Sequence, residues 1–207
     1  MIGMKIDKDK CLSNGKYRIY FSNGKILDIY GDVIIKNDLL LKSDIDKIFY
    51  DKIVNDNVLY DIYNMVIKYL SIRKRSVKEV ILYLEKKNVT KDKVDIVINR
   101  LVSEKKLNDK DFAISFVNDK LKFTSMGDKK IIFELKKFGI DNNIISDISY
   151  LLSDDVIIQK IKLVIEKYLK TNKKYEGIVL KSKIYNKLIR EGFSADLVNV
   201  VLNDYFN

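Results

Sequence analysis

The chain contains no histidine, no proline and no tryptophan, and its one cysteine is Cys11. Without histidine, most nucleophile–base pairs and the commonest metal ligand are missing. One cysteine makes no internal disulfide, which fits a reducing cytosol, and with histidine absent a structural zinc site is nearly excluded. The eight glycines are scattered rather than gathered into a phosphate loop. No apolar run approaches the roughly 18 residues that a membrane-spanning helix needs. The start, Met1-Ile2-Gly3-Met4-Lys5-Ile6-Asp7, lacks the apolar stretch of a signal peptide. These absences point to a cytoplasmic protein that is not an enzyme and holds no metal or cofactor. Carboxylates remain, but Asp109 and Asp111, two apart, project to different faces of a helix. They read as acids placed at a helix start, where the dipole favours them.

What is present is charge and apolar periodicity. At 47% hydrophobic residues the chain can bury one large or two small cores. Its 39 basic and 29 acidic residues leave a net +10, which suggests an anionic partner such as nucleic acid or a nucleoprotein. AT-rich coding would also enrich Lys, Asn, Ile, Asp and Tyr, so where the charge sits tells more than its total. Residues 58–107 carry net +6, against +1 for 1–57, zero for 108–152 and +3 for 153–207. The densest stretch is Arg73-Lys74-Arg75-Ser76-Val77-Lys78, at a predicted helix–helix corner. A solvated corner would look the same, but coding bias favours Lys, and arginine suits bidentate contacts to phosphate or carboxylate.

The N-terminal part reads as β. Ser-Asn-Gly-Lys occurs at 13–16 and again at 22–25. Asn-Gly between alternating runs signals a hairpin whose type I′ turn needs positive φ at both central residues. Tyr17, Ile19 and Phe21 share one side and Arg18 and Tyr20 the other, so a three-stranded meander is predicted at about 5–12, 17–22 and 25–30. A short helix near 44–54 should follow. So small a sheet is not stable alone and should pack on helices.

From residue 58 the period becomes helical. Leu59, Ile62, Val66, Tyr69 and Leu70 make one amphipathic helix. Val77, Val80, Ile81 and Leu84 make a second, behind a capping-box pattern of Ser76 and Glu79, and Val94, Val97, Ile98 and Leu101 make a third. The order recurs twice. Phe112, Ala113, Phe116 and Val117 follow the cap candidate Asn108, then come Ile131, Leu135 and Phe138, then Ile144, Ile148, Leu151 and Leu152. The last copy has Ile157, Ile161, Val164 and Tyr168, then Ile184, Tyr185 and Leu188, then Leu197, Val198, Val201 and Leu202. Three junctions mark the phase: Asn88-Val89-Thr90, Gly139-Ile140-Asp141 and Gly192-Phe193-Ser194. Each is a left-handed helix stop, an apolar residue and a helix start. The expected fold is mainly α: three tandem three-helix repeats at 58–107, 108–152 and 153–207 in a curved array. The antiparallel β-meander and short helix of 1–57 precede them. Leu84, Leu135 and Leu188 align.

Two segments carry a family resemblance. One runs from Arg73 through Leu84 and on to Val94…Val97-Ile98-Asn99-Arg100-Leu101. The other is Leu107-Asn108-Asp109-Lys110-Asp111-Phe112-Ala113…Phe116-Val117, then Gly127-Asp128-Lys129-Lys130-Ile131…Leu135…Gly139-Ile140. Together they resemble RecX, the family of bacterial regulatory proteins that act on the RecA recombinase. The resemblance covers about 58–207. It implies three tandem three-helix repeats with no catalytic activity, which bind the RecA–single-stranded DNA filament along its groove and typically reduce its ATPase and strand exchange. Some members also bind DNA directly. The sequence departs from the family pattern at Met126, usually basic, at Asp128, often proline, and at Asn88, usually glycine.

The expected partners are therefore the RecA filament and single-stranded DNA, reached directly or through the filament, by a monomer that touches no membrane. The candidate contacts are Arg73, Lys74, Arg75, Lys78, Lys129 and Lys130. Glu79 reads as a cap. The alternative is a DNA-binding transcriptional regulator built from helix-turn-helix-like units. A third reading is a protein-interaction scaffold whose charge is coding bias.

Overall fold

The computed structural model describes residues 3–12 and 15–206. Three strands, β1 (Ile6–Cys11), β2 (Lys16–Phe21) and β3 (Ile26–Tyr30), form an antiparallel meander in the order β1-β2-β3. Ile19 faces Leu27 and Arg18 faces Asp28 across β2 and β3. Ile19, Phe21 and Ile29 are buried, while Arg18 grips the Asp28 carboxylate through both oxygens at 2.7 and 2.8 Å on the opposite face. The alternation read from the sequence is thus the one that folds.

The turn at 22–25 differs from the type I′ expected. Only Gly24 has positive φ, its N–H donates to the Phe21 carbonyl, and Phe21 N–H donates to Lys25. This matches the three-residue hairpin loop, in which a left-handed glycine follows an ordinary turn. Asn23 is released from αL, and its side chain accepts from the Lys25 amide. The first Ser-Asn-Gly-Lys turn includes Ser13 and Asn14, which lie outside the described residues.

The sheet is followed by α1 (Gly31–Lys36), a 3₁₀ turn at Leu39–Leu41 and then α2 (Lys47–Leu70), capped by Asp46. The short helix expected near 44–54 and the helix expected from 58 are one continuous element, and the break placed at 57/58 falls inside it. Asn55, Asp56 and Asn57 are weak helix formers, but no glycine or proline interrupts the helix there. Two of their side chains reach back along the chain, Asn57 to the sheet and Asp56 to α1 and its cap. Asn57 is buried, accepts from Tyr30 N–H at 3.1 Å and donates to the Asp28 carbonyl at 3.0 Å. Asp56 accepts from Asn37 and Lys36. Asn57→Ala would leave one buried donor and one buried acceptor unmade, and it should cost about 2 kcal/mol. Faster amide exchange at Tyr30 with exchange in α8 unchanged checks this; uniform loss of protection contradicts it.

The remaining helices are α3 (Val77–Glu85), α4 (Lys91–Ser103), α5 (Asp109–Phe123), α6 (Asp128–Lys137), α7 (Asn142–Asp147), α8 (Asp154–Thr171), α9 (Gly177–Glu191) and α10 (Ala195–Phe206). They fall into two compact units. Met1–Arg73 with Val89–Leu101 form the first, so α2 and most of α4 join the sheet; Lys74–Asn88 with Val102–Asn207 form the second. In the first unit Ile19, Ile29, Val33, Leu39, Ile45 and Ile53 share a core of sheet, α1 and the start of α2. In the second, one core joins α5, α6 and α7 around Ile131 and Leu135, and another joins α8, α9 and α10 around Ile161 and Leu188. Leu121 and Leu152 pack against both. Leu84, Leu135 and Leu188 are each fully buried, as their alignment predicts.

Candidate partner-binding surface

The three junctions have the backbone the sequence implied: φ is +58° at Asn88, +79° at Gly139 and +88° at Gly192. At Gly139, Ile140 N–H donates to Leu135 and Gly139 N–H to Lys136; at Gly192, Phe193 N–H donates to Leu188 and Gly192 N–H to Ile189. Both are Schellman closures, with the following apolar residue, Ile140 or Phe193, buried beneath. The Asp141 side chain accepts from Asn143 N–H at the next helix start. Thr90 hydrogen-bonds the Asp92 carboxylate and holds its carboxyl below the usual range.

Within the second unit these junctions are also docking points. The N-terminus of α3 sits on the C-terminus of α6. Ser76 Oγ, fully buried, donates to the Phe138 carbonyl at 2.8 Å, and Lys78 Nζ donates to the Lys137 carbonyl at 3.1 Å. The N-terminus of α6 in turn sits on the C-terminus of α9. Gly127 N–H donates to Glu191, Lys129 N–H to Gly192, and Ser194 N–H to Asp128 Oδ1. Each helix start meets a helix end and satisfies its free carbonyls, through side-chain donors at the first seam and through backbone amides at the second. The second seam is so close that a Cβ on Gly127 would lie 2.4 Å from Phe193 N, and one on Gly192 would lie 2.5 Å from Lys130 Cβ.

Most of the candidate cations make contacts within the fold, and Lys78 and Lys130 make theirs at the seams. Lys74 Nζ donates to Ser115 Oγ at 2.9 Å, and Arg75, its side chain 14% exposed, pairs with Glu79 at 3.5 Å. Glu79 also completes the capping box with Ser76. Lys130 lies 4.0 Å from Glu191. Arg73 and Lys129 are exposed. Lys78 and Lys129 stand at opposite ends of α6, which is about 15 Å long at 1.5 Å per residue. The six candidates are therefore two groups rather than one patch.

Asp109 has a role the sequence did not disclose. Half-buried at the start of α5, it accepts the first amide of α3, Val77 N–H, at 2.8 Å. Burial pushes its carboxyl above the ordinary value, and the Val77 bond partly offsets that. A raised carboxyl pKa means that the folded state holds the proton more tightly. Its contribution to stability is complete below the unfolded value and is lost as pH rises through the folded one. Asp109→Asn keeps the acceptor and removes the titration, so at neutral pH it should be no less stable than wild type. Asp109→Ala should cost about 1 kcal/mol. Urea melts of the three proteins from acid to neutral pH decide it. Equal loss in both variants contradicts the account. Lys160 of α8 is also buried and donates to the Leu121 carbonyl; burial first, then Lys167, pushes its ammonium down.

Among the described residues no group of histidine, cysteine or carboxylate side chains is placed to hold a metal, and no helix is long and apolar enough to cross a membrane.

Comparison with known proteins agrees with this architecture. The family pattern described as "RecX, first three-helix domain" matches residues 63–101, and "RecX, second three-helix domain" matches 108–147. A regulatory protein RecX of Finegoldia magna is 31% identical over 83% of this chain and 82% of its own length. The chain belongs to the RecX family. A regulatory protein RecX of Bacillus subtilis is 30% identical over 91% of this chain and 71% of its own. A crystal structure of a regulatory protein RecX superposes with a TM-score of 0.83 over 97% of this chain and 99% of that one, at 20% identity, a likeness of fold. RecX from Lactobacillus salivarius gives 0.65 over 70% of this chain and 95% of its own, at 29% identity. The two RecX matches include the Arg73–Lys78 corner and the Gly127–Lys130 seam. Helices α8 to α10 lie beyond them, yet α9 supplies the carbonyls on which α6 rests.

Proposed function

We propose that this chain is a non-enzymatic, cytoplasmic regulator of homologous recombination that binds the RecA–single-stranded DNA filament and restrains its ATPase and strand exchange. The observation that carries the reading is family membership over most of the chain. The tandem repeats and the basic excess support it. A filament presents the same protomer again and again around an anionic strand, and successive repeats can touch more than one protomer. Several weak contacts then act together through effective concentration. Bridging protomers opposes the relative movement of each ATP cycle, which is inhibition by favouring one state of the polymer. It needs no chemistry in the inhibitor, in keeping with a chain that lacks histidine.

Among the six candidate cations, Lys129 is the one we assign to the partner, since it is exposed and gives only its backbone amide to the seam between α6 and α9. Lys74, Arg75, Lys78 and Lys130 have intramolecular roles that a partner would have to displace. In the second and third repeats composition disfavours the helix-turn-helix alternative: α7 and α10, their third helices, contain no lysine or arginine, and α7 is six residues long, whereas α4 of the first repeat carries Lys91, Lys93 and Arg100. A recognition helix draws on such side chains.

Fluorescence anisotropy of a labelled oligothymidine coated with RecA tests the reading. Addition of the chain should raise the anisotropy, with affinity falling as salt rises. Binding that ignores salt would favour the scaffold reading, and no binding would remove the proposal.

A further inference from the structure

The first unit contains a tyrosine-lined groove that the filament reading does not use. Two clefts meet in it. One, of about 450 Å³, is bordered by Asp32 and Lys36 of α1, Asp56 and Tyr60 of α2, and Ile96 and Arg100 of α4. The other, of about 370 Å³, is bordered by Tyr17, Tyr30 and Ile35. Asp32 and Tyr60 line both. The rings form a continuous series: Tyr30 and Tyr60 are 4.8 Å apart, and Tyr60 and Tyr63 are stacked at 6.0 Å. Lys16 lies over Tyr30 at 4.3 Å, and Arg100 over Tyr63 at 4.1 Å. Lys36 is paired with Asp56 at 3.3 Å, and Asp61 takes both Lys16 and the Tyr30 hydroxyl. Asp32 differs. It is exposed, it stands where the clefts join, and among the described residues no ion pair engages it. Ile35 and Ile96, 75% and 50% exposed, flank it with open apolar surface.

We propose that this groove docks a segment of a partner protein presenting a lysine or arginine beside an apolar side chain. The cation meets the Asp32 carboxylate, its aliphatic stem lies along Tyr60, and the apolar neighbour covers Ile35 or Ile96. Tyrosine supplies large contact area at low entropic cost and is enriched where interfaces are strongest. Long basic side chains lay their stems on such surfaces and gain from the ring face. A nucleic-acid strand fits less well. Lys36 and Arg100 line the groove and Lys16 adjoins it, but Lys36 is paired with Asp56 and Lys16 with Asp61, and the exposed Asp32 carboxylate where the clefts join opposes phosphate. The inference stands apart from the filament reading, and either can fail alone.

The test uses the full chain labelled with ¹⁵N and three probes: a short peptide of alternating lysine and leucine, its glutamate–leucine counterpart, and oligothymidine. The lysine–leucine peptide should shift the amide signals of Asp32, Tyr60 and Ile96. Asp32→Lys, an exposed change in the first turn of α1, should weaken that binding about tenfold, equivalent to 1.4 kcal/mol. The glutamate peptide should leave those signals in place. Absence of the shifts, or an affinity unchanged in D32K, overturns the proposal. Shifts of the same amides by oligothymidine overturn it too and reassign the groove to nucleic acid.

Discussion

Gly127→Ala should destabilise the second unit by about 2–3 kcal/mol, although φ at Gly127 is an ordinary −86°. The added methyl has nowhere to go, because its neighbours at 2.4–2.6 Å are the backbone of Gly192 and Phe193. Backbone cannot rotate aside as a side chain can, so the helix start of α6 must lift from α9 and forfeit the amides that Gly127 and Lys129 donate there. Gly192→Ala adds left-handed strain to a contact with Lys130 and should cost about 2–4 kcal/mol. Gly24→Ala is the control: φ is also positive, but nothing lies within 4 Å, so only the strain of about 1–2 kcal/mol remains. Thermal melts should rank G192A as the least stable of the three. A fall of roughly 2–4 °C per kcal/mol is expected at this chain length. If G127A melts with wild type, the close seam is wrong.

The second large effect concerns the partner. The variant Lys129→Glu should need about tenfold more protein for the same inhibition of the filament, with an unchanged melt. Lys129 contributes its backbone amide to the seam and leaves its side chain outside, and an acid in the first turn of α6 suits the dipole. Folding therefore should not suffer. Reversal of Lys74 or Arg75 is less informative. A glutamate at 75 would face Glu79, and one at 74 would lose the bond to Ser115, so stability would fall along with binding. Equal inhibition by K129E and wild type would remove this residue from the contact surface. If DNA phosphate is what Lys129 touches, the salt slope of binding should also shrink by about 0.7 for that contact to a single strand.

Where the chain's local chemistry acts within a few residues the sequence was legible, except at the turn at 22–25, where Asn-Gly implies a type I′ turn and Gly24 alone takes positive φ. The left-handed stops at Asn88, Gly139 and Gly192, the capping box of Ser76 and Glu79, and the alternation of β2 and β3 all follow from neighbours close in sequence. What stayed hidden depends on partners far along the chain. The boundary placed at 57/58 missed the continuity of α2, because the partners of Asp56 and Asn57, in α1 with its cap and in β3, lie about 20 to 30 residues earlier. Asp109 looked like a helix-start acid alone, and its bond to Val77 spans 32 positions. Ser76 and Gly127 occupy the same place in their repeats, yet one docks through a hydroxyl and the other through a bare amide. That difference also explains the basic corner. Lys74 and Lys78 are dense at 73–78 in part because a helix start there grips carbonyls and a hydroxyl of the next repeat. The tyrosine groove gathers residues from 17 to 100, with no local signature.

The most direct test of the regulatory reading is RecA ATPase on single-stranded DNA, measured with and without this chain at substoichiometric amounts. The account predicts that the rate falls well before one chain is present per recombinase, because one chain holds more than one protomer. No effect on the rate at any ratio would contradict it.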